Sequence, residues 1–228
     1  MTASSSIRID PVDVARRLER VRERIAEAGG DESIKIVAVT KSFGPDAVVA
    51  AHAVGLLDVG ENYAQEMADK VGQLDAAVLA EVRWHFIGGL QSNKVRLIAS
   101  SVHLWQTVER EKIGREIVKR QDGAEKPAAL IQVKVGTAEN KAGCAPGLVS
   151  DLIAALGSTG VAVRGLMTVG AAGDASATAD AFATVRDLAD EHELPIRSMG
   201  MSGDLELAVR AGSTMLRIGS DLFGSRQP

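Results

Sequence analysis

The sequence predicts a single α/β domain of the (β/α)8 barrel class, a TIM barrel spanning residues 1–228. Three observations predict it. Short β-branched apolar runs alternate with amphipathic stretches along nearly the whole chain. About eight such strand–helix units can be counted, the number that closes the barrel. The length of 228 residues suits one barrel domain, and no linker, low-complexity tract or charge block divides it. An open doubly wound sheet can also be built from alternating units; the count favours the barrel.

The elements follow in order. Residues 1–30 form an N-terminal tail and one extra helix ahead of the barrel. Asp10 caps that helix and Pro11 suits its first turn. Leu18, Val21, Ile25 and Ala28 recur at helical spacing, and Gly29-Gly30 ends it. Residues 34–40 (IKIVAVT) are the kind of nearly continuous apolar run that a strand buried on both faces needs. Pro45 opens a helix that Gly55 closes, 56–59 is a second strand and 62–72 a second barrel helix. Strands are then expected near 84–87, 102–106, 128–135, 162–167, 196–199 and 214–218. Helices are expected near 91–99, 109–121, 147–156, 175–192 and 203–211, with a short segment after 219.

Composition narrows the function classes. A net charge of −4 gives no general attraction to nucleic acid or to anionic membrane surfaces. The arginines between 16 and 24 are interleaved with Glu19, Glu23 and Glu27, as on a solvated helix face. The single cysteine, Cys144, rules out an intramolecular disulfide and a cysteine metal cluster, and it reads as a bystander. The four histidines never fall at i, i+4, so no metal site is expected. No apolar run approaches a membrane span, and the first residues lack an apolar leader. A cytoplasmic monomer that touches neither membrane nor nucleic acid is the expectation.

In a barrel of this class the site lies at the C-terminal ends of the strands. Lys41 directly follows the first strand and would aim its amine into the mouth. Desolvation lowers the proton affinity of such an amine, and a drop from about 10.4 to about 7–8 corresponds to roughly 4 kcal/mol. A neutral amine there would form a Schiff base with a carbonyl compound; the alternative is a lysine that snorkels to solvent. Asn62, after strand two, either binds a ligand or caps the next helix. Strands seven and eight end in Ser198–Asp204 and Met215–Ser220. Loops at these two places are the recurrent phosphate site of the fold. Ser202 and Ser220 would donate hydroxyls there, with Gly203 and Gly219 giving backbone access; alternatively the serines only cap helices and the glycines only turn the chain. Arg217, between Leu216 and Ile218, would face the barrel interior and needs a partner. That partner is either a structural anion or the ring nitrogen of a pyridine cofactor. His85 reads as a satisfied core histidine, and Lys134, placed mid-strand, is a lower-ranked rival amine.

Several blocks resemble the YggS/PROSC family of pyridoxal phosphate homeostasis proteins. They are IVAVTK (36–41), VGENYAQE (59–66), WHFIGGLQSNK (84–94), ENKAGC (139–144), GLM (165–167) and SMGMSGDLELAVRAGSTMLRIGSDLFGSR (198–226). The blocks run in order over nearly the whole chain. The resemblance implies a fold-type III barrel like the alanine racemase N-terminal domain, holding pyridoxal 5′-phosphate (PLP). It implies Lys41 as the Schiff-base (aldimine) lysine and Asn62 beside the cofactor. Ser202, Gly219 and Ser220 would hold the phosphate, Met201 would line it, and Arg217 would approach the pyridine nitrogen. The chain departs from the family pattern at Gly89 (usually proline), Gly203 (often acidic), Lys134 (often asparagine) and Ser220-Asp221 (usually threonine–alanine). Ser220 keeps the hydroxyl, whereas Asp221 brings a negative charge close to that end.

The resemblance implies a protein that binds and buffers PLP, delivering it to apo-enzymes, with no robust catalytic activity. A racemase of this fold needs a second base on the opposite cofactor face; this chain ends just after the barrel and its only tyrosine is Tyr63. The rival readings are a weak fold-type III amino-acid racemase, an aldolase-like barrel using Lys41 on a sugar phosphate, and an interaction protein with a degenerate site.

Overall fold

The computed structural model describes residues 8–121, 125–136 and 142–225. Eight parallel strands close into a barrel in sequence order. They are β1 (Lys35–Val39), β2 (Asp58–Glu61), β3 (Arg83–Phe86), β4 (Val102–Val108), β5 (Ala128–Gln132), β6 (Ala162–Met167), β7 (Ile196–Ser198) and β8 (Met215–Ile218). β1 pairs with β8 to complete the ring, from Lys35 opposite Met215 to Ala38 opposite Ile218.

All eight strands lie where the apolar runs place them, with three shifts of two residues or more at the ends, one of them the extension of β4 to Val108. β2 moves two residues along, so Glu61 belongs to the strand and Asn62 follows it directly. β5 stops at Gln132 instead of running to 135. There the returning segment takes over the backbone: Lys134 N donates to Cys144 O at 2.8 Å and Cys144 N to Gln132 O at 2.7 Å. Lys134 therefore lies beyond the strand, which corrects its mid-strand placement.

The helices pack outside the ring. α1 (Pro11–Glu27) has the expected cap, with Val12 N donating to Asp10 Oδ1 at 2.9 Å. Val14, Leu18, Val21 and Ile25 are its buried stripe, and Gly29 at φ +91° turns the chain out of it. α2 (Pro45–Ala53), α3 (Ala64–Val71), α4 (Ala76–Glu81), α5 (Ser92–Val95) and α6 (Glu111–Arg120) follow. After a 3-10 turn come α7 (Val149–Thr159), α8 (Ala175–Glu191), α9 (Leu205–Arg210) and α10 (Ser220–Phe223). α4 is an addition to the expected set. The segment expected as a helix over 91–99 is helical only to Val95. Leu97 N and Ile98 N then bond three residues back, because the chain must tighten before β4 begins at Val102. α3 starts at Ala64 with Tyr63 in the cap position, so Asn62 does not cap it. Among the described residues no helix is long and apolar enough to cross a membrane.

Two apolar layers result. Val37, Leu104, Leu130, Met167 and Met215 fill the barrel interior, while a larger cluster packs the strands against the helices. α1 packs against α2, α9 and α10, which brings it beside the loops after β7 and β8.

Candidate cofactor site at the barrel mouth

The C-terminal ends of the strands surround a cavity of about 510 Å³. Lys41, Asn62, Met201, Ser202, Arg217, Gly219 and Ser220, the seven residues singled out from sequence, all line it. Val39, Ile87, Met167 and Val169 supply apolar wall. Two larger clefts, of about 540 and 650 Å³, lie on the α1–α2 flank and near the N-terminal ends of β1 and β2. Neither gathers polar groups at the strand ends that this fold uses for chemistry.

Lys41 is half-buried and follows β1 directly. Both of its neighbours are tied down. Thr40 Oγ1 donates to Glu61 Oε1 at 2.6 Å, and Ser42 N donates to Glu66 Oε1 at 2.6 Å. Ser42 holds φ +65°, a left-handed backbone in which the surrounding bonds keep it. Lys70 of α3 knots these groups together, with Nζ 2.7 Å from Thr40 O, 2.5 Å from Glu61 Oε1 and 2.7 Å from Glu66 Oε1. Burial pushes the Glu61 carboxyl up, against the opposing pull of Lys70.

Asn62 Oδ1 is buried and, among the described residues, has no hydrogen-bond partner. A buried amide oxygen without a partner at a cavity wall is the kind of group a ligand satisfies. The β3 end approaches Asn62 so closely that a Cβ on Gly88 would sit 1.8 Å from Asn62 O. Only glycine fits at position 88.

Arg217 is 4% exposed, the interior arginine expected from its flanking residues. Nη1 donates to Ser198 O and Ser198 Oγ, each at 2.8 Å, and Nη2 to Thr168 O at 2.8 Å. These acceptors are all neutral, so the structural anion that sequence reasoning allowed as its partner is not bonded to it. Burial pushes Arg217 down to about 10, with Asp204 pulling the other way, which leaves it a cation at neutral pH.

The two phosphate-type loops also converge. Neither serine acts as the cap of its own helix: Asp204 and Gly219 hold the cap positions of α9 and α10. Ser202 Oγ instead accepts from Asp221 N at 3.4 Å across the two loops. Among the described residues, the backbone N–H groups of Ser202, Gly203, Gly219 and Ser220 have no protein acceptor. Four unanswered donors around one end of a cavity suit an oxyanion. The negative charge of Asp221 is answered by Arg24 of α1, with Nη1 2.5 Å from Asp221 Oδ2. The same guanidinium binds Glu206 through Nε at 2.6 Å and donates through Nη2 to Ser202 O at 3.0 Å.

His85 is a satisfied core histidine, as expected, between Asp58 Oδ1 at 2.9 Å and Gln106 Nε2 at 2.7 Å. Burial alone would raise Asp58, but hydrogen bonds from His85 and Arg83, with the charge of Arg83, hold its carboxyl well below the usual range. Lys134 lines a separate neighbouring cleft with Gln132 and Thr168. Cys144 is buried, its thiol pushed up by burial, and it lines no part of the mouth cavity. Sequence reasoning missed Glu61, Glu66 and Lys70, which support Lys41, and Arg24, which braces the loops after β7 and β8. Glu66 and Lys70 stand at i, i+4, a spacing indistinguishable from a surface pair.

Comparison with known proteins gives the family and the fold. The alanine racemase N-terminal domain family matches residues 9–227. The pyridoxal phosphate homeostasis protein of Pseudomonas aeruginosa is 38% identical over 220 residues, covering 94% of each chain. PipY of Synechococcus elongatus, solved with PLP bound, superposes with a TM-score of 0.76 at 32% identity, over 92% of this chain and 100% of PipY. Alanine racemase from Corynebacterium glutamicum shares the fold, with a TM-score of 0.72 at 16% identity over 97% of this chain and 63% of its own. The chain belongs to the family of pyridoxal phosphate homeostasis proteins, built on the alanine racemase N-terminal domain.

Proposed function

We propose that this chain binds PLP in the mouth cavity through Lys41 and serves intracellular PLP homeostasis, buffering the cofactor and delivering it to apo-enzymes. The observation that carries the reading is the convergence of Lys41, Arg217, an unpartnered Asn62 oxygen and four open backbone donors on one cavity. The relative solved with PLP bound supports it. When bound, PLP supplies an aldehyde that a neutral lysine amine takes as a Schiff base. The chain's own residues do the rest. Ser202, Gly203, Gly219 and Ser220 would donate to the phosphate, and Met201 would line it. Asn62 would bond a ring substituent. Arg217 would donate to the ring nitrogen, which keeps that nitrogen unprotonated and weakens the electron sink.

A carrier role, with no robust catalysis, fits the lining. Apart from Lys41 and Arg217, no side chain around the cavity ionises, so the described residues place no second base there for two-base racemisation. Tyr63 is 60% exposed and does not line it. We read the working unit as a cytoplasmic monomer.

The test is a visible spectrum of the purified protein, before and after incubation with PLP, then borohydride reduction and peptide mapping beside Lys41→Ala. A reduced pyridoxyl group on Lys41, absent from the variant, is expected. A protein that stays colourless after loading overturns the cofactor assignment. Lys41-dependent loss of an isotope-labelled α-proton from alanine or serine, faster than with free PLP, would replace the carrier reading with a racemase.

A further inference from the structure

The barrel interior is not apolar throughout. Five buried polar side chains lie end to end between the apolar residues, from the mouth to the opposite end. Arg217 Nη1 is 2.8 Å from Ser198 Oγ, which is 2.7 Å from Gln106 Oε1. Gln106 Nε2 is 2.7 Å from His85 Nδ1, and His85 Nε2 is 2.9 Å from Asp58 Oδ1. Arg83 then binds Asp58 with two bonds, at 2.9 and 2.6 Å. Ser198 and Gln106 are 0% exposed, His85 1% and Asp58 8%.

The links run in one direction. A guanidinium only donates, so Ser198 Oγ accepts from Arg217, and it donates its single proton to Gln106 Oε1. That turns the Gln106 amide nitrogen toward His85, whose Nδ1 accepts and whose Nε2 carries the proton. Asp58, an ionised carboxylate, only accepts. The second Gln106 proton faces Met215 Sδ at 3.3 Å. No link can be reversed alone.

Arg217 makes three of its five possible N–H bonds, all to Ser198 and Thr168. Its Nε–H and one Nη2 N–H have no acceptor among the described residues, and Arg217 lines the mouth cavity. A guanidinium is planar, so the direction of these open N–H groups follows from where the bonded ones are held.

We propose that Gln106 is a positioning residue for Arg217: through Ser198 it sets the angle at which Arg217 meets the ring nitrogen of bound PLP, and through the same amide it couples the cavity to His85 and Asp58. The inference rests on PLP binding at Lys41, so loading is checked first by borohydride mapping. Failure of the wild type to load overturns that reading; the variants below concern the relay.

The first readout is the ring nitrogen resonances of His85 by NMR, in cofactor-free and PLP-loaded protein. Cofactor-free wild type should show a neutral ring protonated on Nε2, and loading should move its signals. In Gln106→Leu the signals should no longer respond to loading. A wild-type His85 that ignores loading, or an equal response in Gln106→Leu, overturns the proposal. The second readout is PLP dissociation. Gln106→Leu and Ser198→Ala should each release PLP about tenfold faster, the loss of one hydrogen bond to a charged group. Gln106→Glu keeps an acceptor for Ser198 and should stay within about threefold of wild type. A purely structural role predicts the reverse order, because a buried carboxylate disturbs a core more than leucine does. Equal release from Gln106→Glu and Gln106→Leu overturns the proposal, and Ser198→Ala decides it alone if Gln106→Leu does not fold.

Discussion

At the scale of single residues, the mouth cavity separates groups that can be replaced from groups that cannot. Ser220 offers a hydroxyl and a backbone N–H to the same place, and the N–H survives substitution. Ser220→Ala should therefore release PLP roughly five- to tenfold faster, about 1 kcal/mol, while the pyridoxyl group is still trapped on Lys41. Stopped-flow dilution against an apo-enzyme acceptor measures the rate, and unchanged release would move the phosphate away from Ser220. Seven of the residues that line the cavity were readable in the sequence, six from their places at or just beyond strand ends and Met201 from the family resemblance. Their support was not readable. Gln106 looks like an ordinary strand residue until closure of the ring brings β4 and β7 face to face across its interior. Arg24 lies 178 positions before Ser202, and nothing local to either residue announces the contact.

At the scale of elements, apolar period and turn chemistry located every strand, since a strand buried on both faces has little freedom in composition. The errors fell where competing backbone bonds decide, at the end of β5 and in the short helical run after Gln91. Pairing across β2 and β3 carries a consequence that sequence alone could not supply. The register sets Asp58 opposite Arg83 and Gly60 opposite His85, so one carboxylate receives hydrogen bonds from both side chains. Asp58 binds a proton less readily folded than unfolded. Between its ordinary value near 3.9 and its lower folded value, the unfolded chain holds more protons, so stability rises with pH there. The contribution is complete above about pH 5 and lost as acid titrates the folded carboxylate. In urea titrations, the stability gap between wild type and Asp58→Asn should shrink as pH falls from 6 to 3. A gap that does not change with pH would mean that the carboxylate is held by packing alone.

At the scale of the whole molecule, the helix outside the barrel repeat joins its two ends. α1 lies before the first strand, yet its buried stripe packs on α9 and α10, and Arg24 binds Glu206, Asp221 and Ser202 together. The loops that present Ser202 and Ser220 are thus braced by the segment that precedes β1, and barrel closure and loop placement are coupled. Two substitutions separate the contributions. Leu18→Ala removes a side chain 2% exposed from the stripe and should cost about 2–5 kcal/mol of unfolding free energy. Because α1 sits over the ring closure, far-ultraviolet circular dichroism and the visible band of bound PLP should lose signal at the same denaturant midpoint. Arg24→Met keeps the apolar stem and removes the three polar contacts at a half-buried position. It should change global stability less than Leu18→Ala, yet speed PLP release by several-fold, since Asp221 is left without its counter-charge beside the phosphate loops. If Arg24→Met lowered stability as much as Leu18→Ala and left release untouched, α1 would be a structural clamp with no influence on the cavity.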